Sequence, residues 1–89
     1  MTVVLQGEFD VTSEGALAAV LERIHQSGPS RLIFEMAAVG YLDCASARLI
    51  AGTGRWLPEG VKPVIIAPSP LARRVFMVSG IGALCEFER

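Results

Sequence analysis

Cysteine, histidine, tryptophan and long apolar runs are all scarce in this chain: its 89 residues include two cysteines, one histidine and one tryptophan. Cys44 and Cys85 are too few for a disulfide framework. With His25 as the single histidine, no four-ligand zinc set can be built locally, so neither a metal nor a cofactor is expected. No apolar run reaches the ~18–20 residues that a membrane span needs, and no basic stretch leads into an apolar one at the start. Direct membrane insertion is therefore not expected, and free thiols without an export signal point to the cytoplasm. An excess of one charge is missing too, since 8 Lys and Arg stand against 9 Asp and Glu. Nucleic acid needs a concentrated positive field, so it is excluded as the main partner. Apolar residues, by contrast, make up 52% of the chain. That is material for one small domain burying roughly 60–65% of its unfolded surface.

The apolar spacing sets out alternating elements. A strand is predicted over 2–10, around Val3, Val4, Leu5 and Phe9. A helix is predicted over 12–28, capped by Thr12 or Ser13, with Leu17, Val20, Leu21 and Ile24 as its core-facing stripe. Leu32, Ile33 and Phe34 make 31–36 a strand covered on both faces, followed by a short loop with Gly40. A second helix over 45–57 is closed by Pro58 and Gly60, and Val64, Ile65 and Ile66 mark another strand. Ser69 followed by Pro70 opens a third helix that runs to Gly80, and 84–88 closes the chain as a strand. The order β-α-β-α-β-α-β predicts a single α/β domain over 1–89 with a mainly parallel four-stranded sheet and helices packed on it.

Catalytic readings of the middle segment "YLDCASARLI" are weak. A Cys44 thiolate needs a base, and nothing in the pattern brings His25 near it. Ser46 lacks the flanking glycines of a hydrolase elbow, and "GTGRW" lacks a phosphate-loop lysine. Asp10 and Asp43 both end strands on the carboxyl side, where they can cap turns and support a site. On a wheel of 100° per residue, Ala47, Ile50, Ala51, Gly54 and Leu57 face the sheet. Ala45, Leu49, Gly52 and Trp56 line nearly the opposite side, flanked by Arg48 and Arg55. An outward apolar stripe rimmed by arginine reads as a protein-binding face, with Trp56 largely exposed.

Three segments in order resemble the STAS domain (sulfate transporter and anti-sigma factor antagonist): "GEFDVTSEGAL" (7–17), "VGYLDCASARLIAG" (39–52) and "SPLARRVFMVSGIGALCEF" (69–87). The resemblance implies a non-enzymatic interaction module of the anti-sigma factor antagonist type in a bacterial cytoplasm. It implies an anti-sigma factor kinase as partner, acting in transcription regulation. It also implies partner binding through the loop at 43–46 and the second helix, that is through Asp43, Cys44, Ala45, Ser46, Arg48, Leu49, Gly52 and Trp56. The family's Asp-Ser-Ser-Gly turn carries its phosphate acceptor on the second serine. Here Asp43 is kept, Cys44 replaces the first serine, Ala45 stands at the acceptor position and Ser46 stands where glycine is expected. The usual switch is therefore altered, and Ser46 is the remaining hydroxyl for phosphorylation.

Family members also carry an extra strand before the first one, most of which this chain lacks. An open sheet edge results, and a homodimer through it is one way to cover it. Two alternatives follow from the same resemblance: a small-ligand sensor for nucleotides or lipids, and a regulatory subunit of an ABC-type lipid transporter.

Overall fold

In the computed structural model, which describes residues 1–88, four strands and three helices alternate as anticipated. They are β1 (Thr2–Phe9), α1 (Glu14–Gln26), β2 (Ile33–Leu42), α2 (Cys44–Gly52), β3 (Val64–Ile66), α3 (Pro70–Val78) and β4 (Glu86–Glu88). Short 3₁₀ turns, Thr53–Trp56 and Ile81–Leu84, follow α2 and α3. The strands pair in the order β1-β2-β3-β4, all parallel. Each strand is laid beside the last, as short helical crossovers favour.

One core joins the three helices to one face of this sheet. Leu17 and Leu21 of α1, Ala47 and Ile50 of α2, and Ala72 and Phe76 of α3 cluster with Leu5, Phe34, Met36 and Ile65. Val3, Phe34, Ile65 and Phe87 form a cross-strand row on that face. The flanking rows, which begin at Thr2 and Val4, alternate to the other face. Phe76 meets Phe87 edge-on at 5.5 Å between ring centroids, tying α3 to the last strand.

Local chemistry explains where the boundaries differ from the sequence expectation. β2 does not stop at 36 with a loop at Gly40; it continues to Leu42 because β1 supplies partners up to Phe9 opposite Leu42. Two register shifts, each with one extra residue in β2, absorb the irregularity, one of them opposite Gly7, whose φ of 93° favours glycine. The Glu8 carboxylate lies over Gly40, and a Cβ there would stand 2.9 Å from Glu8 Oε1, a contact that this flexible side chain can relieve by swinging aside.

α1 begins at Glu14, and the Ser13 hydroxyl does not cap it. That oxygen instead accepts from the Asp10 N–H at 2.9 Å, closing the turn behind the helix. Of the predicted stripe on α1, Leu17 and Leu21 are buried, whereas Val20 is exposed. Val20 lines a groove along the β1 edge, where no further strand among the described residues covers it. β3 is confined to Val64–Ile66 between Pro63 and Pro68, whose missing N–H groups cannot extend the ladder. Ser69 caps α3 as expected, its Oγ accepting from the Ala72 N–H at 3.1 Å. β4 starts at Glu86 rather than 84 because the 3₁₀ turn occupies Ile81–Leu84.

Candidate functional site

The carboxyl ends of β1 and β2 lie side by side, and one hydrogen bond fixes them. The Asp43 N–H donates to the Phe9 carbonyl at 2.9 Å. Asp43 Oδ1 then accepts from the Ser46 N–H at 2.8 Å, satisfying one of the orphan donors of the first turn of α2. Asp10 is occupied in its own turn. Its Oδ1 accepts from the Thr12 hydroxyl at 2.6 Å and from the Thr12 N–H at 2.9 Å. The Thr12 hydroxyl, with that N–H second, holds the Asp10 carboxyl below its ordinary value. Both aspartates therefore shape turns. Among the described residues no group of three or more His, Cys, Asp or Glu is placed to hold a metal ion.

α2 separates the candidate residues onto two faces. Cys44 and Arg48 are exposed, and Ala45, Leu49 and Gly52 are half-buried beside them. Ser46, Ala47, Ile50 and Ala51 face the core and are buried. Ser46 thus leaves the outward group to which its neighbours belong. Its Oγ is buried without a hydrogen-bond partner. As the remaining candidate for phosphorylation it is out of a kinase's reach in this conformation. A side chain that fits under the helix there has to be small.

Trp56 departs from expectation. It is half-buried rather than largely exposed, and its ring stacks on His25 with centroids 4.4 Å apart and planes 7° from parallel. The physical reason is the change of helix type after Gly52. A 3₁₀ turn advances about 120° per residue instead of 100°. Over four residues it carries Trp56 roughly 80° off the ideal wheel, onto the end of α1. The Arg55 guanidinium stands 5.9 Å from the indole centroid. The outward stripe consequently ends at Gly52. The same stack places His25 against the far end of the second helix, so it gives the Cys44 thiol no base. Cys85 is buried, and its thiol is pushed up to about 11 by desolvation, with the Lys62 charge acting in the opposite direction.

Beyond α2 the chain forms a cleft of about 430 Å³ lined by Ala51, Gly52, Arg55, Val61, Lys62 and Leu84. No reading of spacing alone flagged it, because its walls come from the 3₁₀ turn, the 58–62 turn and the segment before β4. No helix among the described residues is long and apolar enough to cross a membrane.

Comparison with known proteins places this geometry. The STAS domain family matches residues 1–88 of the chain. The anti-sigma-F factor antagonist RsfB of Mycobacterium tuberculosis is 24% identical over 75 residues, covering 84% of this chain and 62% of that protein. The chain thus spans less than two thirds of this relative's length. An anti-sigma factor antagonist from Mycobacterium paratuberculosis superposes with a TM-score of 0.85 at 22% identity, covering 98% of this chain and 74% of the other. The anti-sigma factor antagonist SpoIIAA in its unphosphorylated form superposes at 0.77 and 24% identity, covering 97% and 76%. At such identities the structural likeness speaks for the fold.

Proposed function

The chain belongs to the STAS domain family, and from that membership we propose that it is a non-enzymatic, cytoplasmic interaction module of the anti-sigma factor antagonist type. Its partner-binding surface is the turn at Asp43–Ala45 with the outward side of α2. The observation that carries the reading is the composition of that side. Exposed Cys44 and Arg48 stand beside half-buried Ala45, Leu49 and Gly52, with Leu49 packed in part against the core and in part open to a partner. Arginine is the residue type here that is enriched at interfaces and their hot spots, and the apolar and small residues beside it leave a surface that a partner can cover closely. Trp56 belongs to this surface only through its edge, since α1 holds one face of the ring. With alanine at the acceptor position and the Ser46 hydroxyl buried, association through this surface is not governed by phosphate on the turn.

Cys44 supplies the handle for a test, being the exposed cysteine of the two. A benzophenone maleimide on Cys44, irradiated in extract of the native host, should crosslink an anti-sigma factor identifiable by mass spectrometry. Titrating that purified protein with the unlabelled chain should give saturable binding. Arg48→Glu should weaken it by about 2 kcal/mol or more, roughly thirty-fold. Equal affinity of the Arg48→Glu variant would reject the surface, and the absence of any anti-sigma factor in the crosslinked material would reject the partner class.

A further inference from the structure

The cleft beyond α2 lies at the far end of that helix from the Asp43 turn, and Gly52 alone is common to it and the surface proposed above. Its volume of about 430 Å³ falls within the range of small-molecule sites, about 300–1,000 Å³. Three segments distant in sequence build it: the end of α2 with its 3₁₀ turn, the turn at 60–62, and Leu84 ahead of β4. Ala51, Val61 and Leu84 give it aliphatic walls, and Leu84 is 53% exposed, outside the core cluster.

Charge enters the cleft from two of the three segments and with one sign. Arg55 and Lys62 stand exposed at its rim, and neither forms an ion pair among the described residues. No carboxylate among the described residues lines it. The Arg55 guanidinium is held on two sides. It lies beside Gly52, where a Cβ would stand 3.6 Å from Nη1, and 5.9 Å from the Trp56 centroid. An arginine near the end of a helical segment also suits the negative end of the helix dipole. A lysine brought in by a separate turn has no such reason to join it. A cleft walled by apolar groups and lined by charges of one sign concentrates counter-ions.

We propose that this cleft binds a small, soluble amphiphilic anion, with a carboxylate or phosphate head on Arg55 and Lys62 and an aliphatic body against Ala51, Val61 and Leu84. The arginine fork suits either head, since it can engage two oxygens at once. A nucleotide fits less well, because no aromatic ring lines the cleft for a base to stack on.

The probes are octanoate and octyl phosphate below micelle formation, with octylammonium and inorganic phosphate as controls. In ¹H–¹⁵N spectra of the labelled chain, each octyl anion should shift the amides of Gly52, Gly54, Val61 and Leu84 saturably, with a Kd of about 1 mM or below. Arg55→Gln/Lys62→Gln should weaken both by about tenfold or more. Arg73→Gln/Arg74→Gln on α3, a cation pair away from the cleft, should leave them unchanged. Leu84→Ser should weaken the octyl anions and leave inorganic phosphate as it was. Arg55, Lys62 and Leu84 are exposed, so these variants should keep the urea midpoint of the parent chain. The absence of a saturable shift with either octyl anion would overturn the proposal. So would equal binding of octylammonium, which would leave an apolar cleft without anion preference, or equal binding of inorganic phosphate, which would leave a charge site without a use for its walls. Shifts centred on the β1 groove, or equal loss in both double variants, would overturn it as well.

Discussion

Ser46 and Asp43 sit three residues apart and show two different relations between sequence and role. Asp43 was legible because capping is a local matter: a short carboxylate just before a helix finds the N–H three residues on, and it does so at 2.8 Å. Ser46 attracted notice as the hydroxyl next to an expected acceptor position. The wheel of 45–57 did not assign it to the core, yet Ser46, Ile50 and Thr53 fall at i, i+4 and i+7 and the structure buries all three. The Ser46 hydroxyl then has no hydrogen-bond partner. A buried unsatisfied polar group costs about 1–3 kcal/mol. Ser46→Ala removes that oxygen and keeps the rest of the shape, so stability should rise by about 1 kcal/mol. Urea denaturation followed by circular dichroism measures it as a higher midpoint at unchanged slope. A lower midpoint would mean that the hydroxyl is held by a bond, for instance to a buried water.

At the scale of elements, α2 and its 3₁₀ continuation decide which part of the binding face survives. Hydrophobic period alone extended one helix over 45–57 and put Trp56 in solvent. The core half of that reading holds, with Ala47 and Ile50 fully buried and Ala51 nearly so. The outer half fails after Gly52, because a change of helix type leaves no mark in apolar spacing. Thr53 is the local sign of it. Its hydroxyl is buried and donates back to the Ile50 carbonyl at 2.7 Å, drawing the chain into the tighter turn. The contact with His25 was illegible for another reason: it joins the ends of two helices distant in sequence, and only the packing of α1 against the turn brings them together. Trp56→Ala should therefore cost measurable stability, about 1–3 kcal/mol for a half-buried aromatic, below the 3–5 kcal/mol of a full core truncation. A double-mutant cycle with His25→Ala should return a coupling of about 0.5–1.5 kcal/mol for the stacked rings. A coupling near zero would mean that the stack contributes nothing to holding the two helices together.

For the molecule as a whole, the topology was readable and the lengths of its parts were not. Alternating strand and helix patterns with short connections leave few arrangements of a parallel sheet, and the simplest one is found. Strand length depends on what the neighbour offers, so β2 reached Leu42 along β1 while β3 and β4 shrank to three residues each. The two halves of the sheet are thus unequal: β1 and β2 share a long ladder, and β3 and β4 hold theirs with three residue pairs. What binds the short half to the rest is the common core, in which Phe76 of α3 and Ile65 of β3 are fully buried together with Phe34 of β2. A single cluster of this kind should make unfolding one cooperative event, as expected for a domain of this size. Trp56, the one tryptophan, reports on the α1–α2 end, while far-ultraviolet circular dichroism reports on all elements. Their urea transitions should coincide. Phe76→Ala, at a cost of about 3–5 kcal/mol, should lower both midpoints together although Phe76 and Trp56 lie on different elements. Should the dichroism of Phe76→Ala fall well before its tryptophan signal moves, α3 and the β3–β4 half would be a separately unfolding unit, and the core would not be shared in the way that its packing indicates.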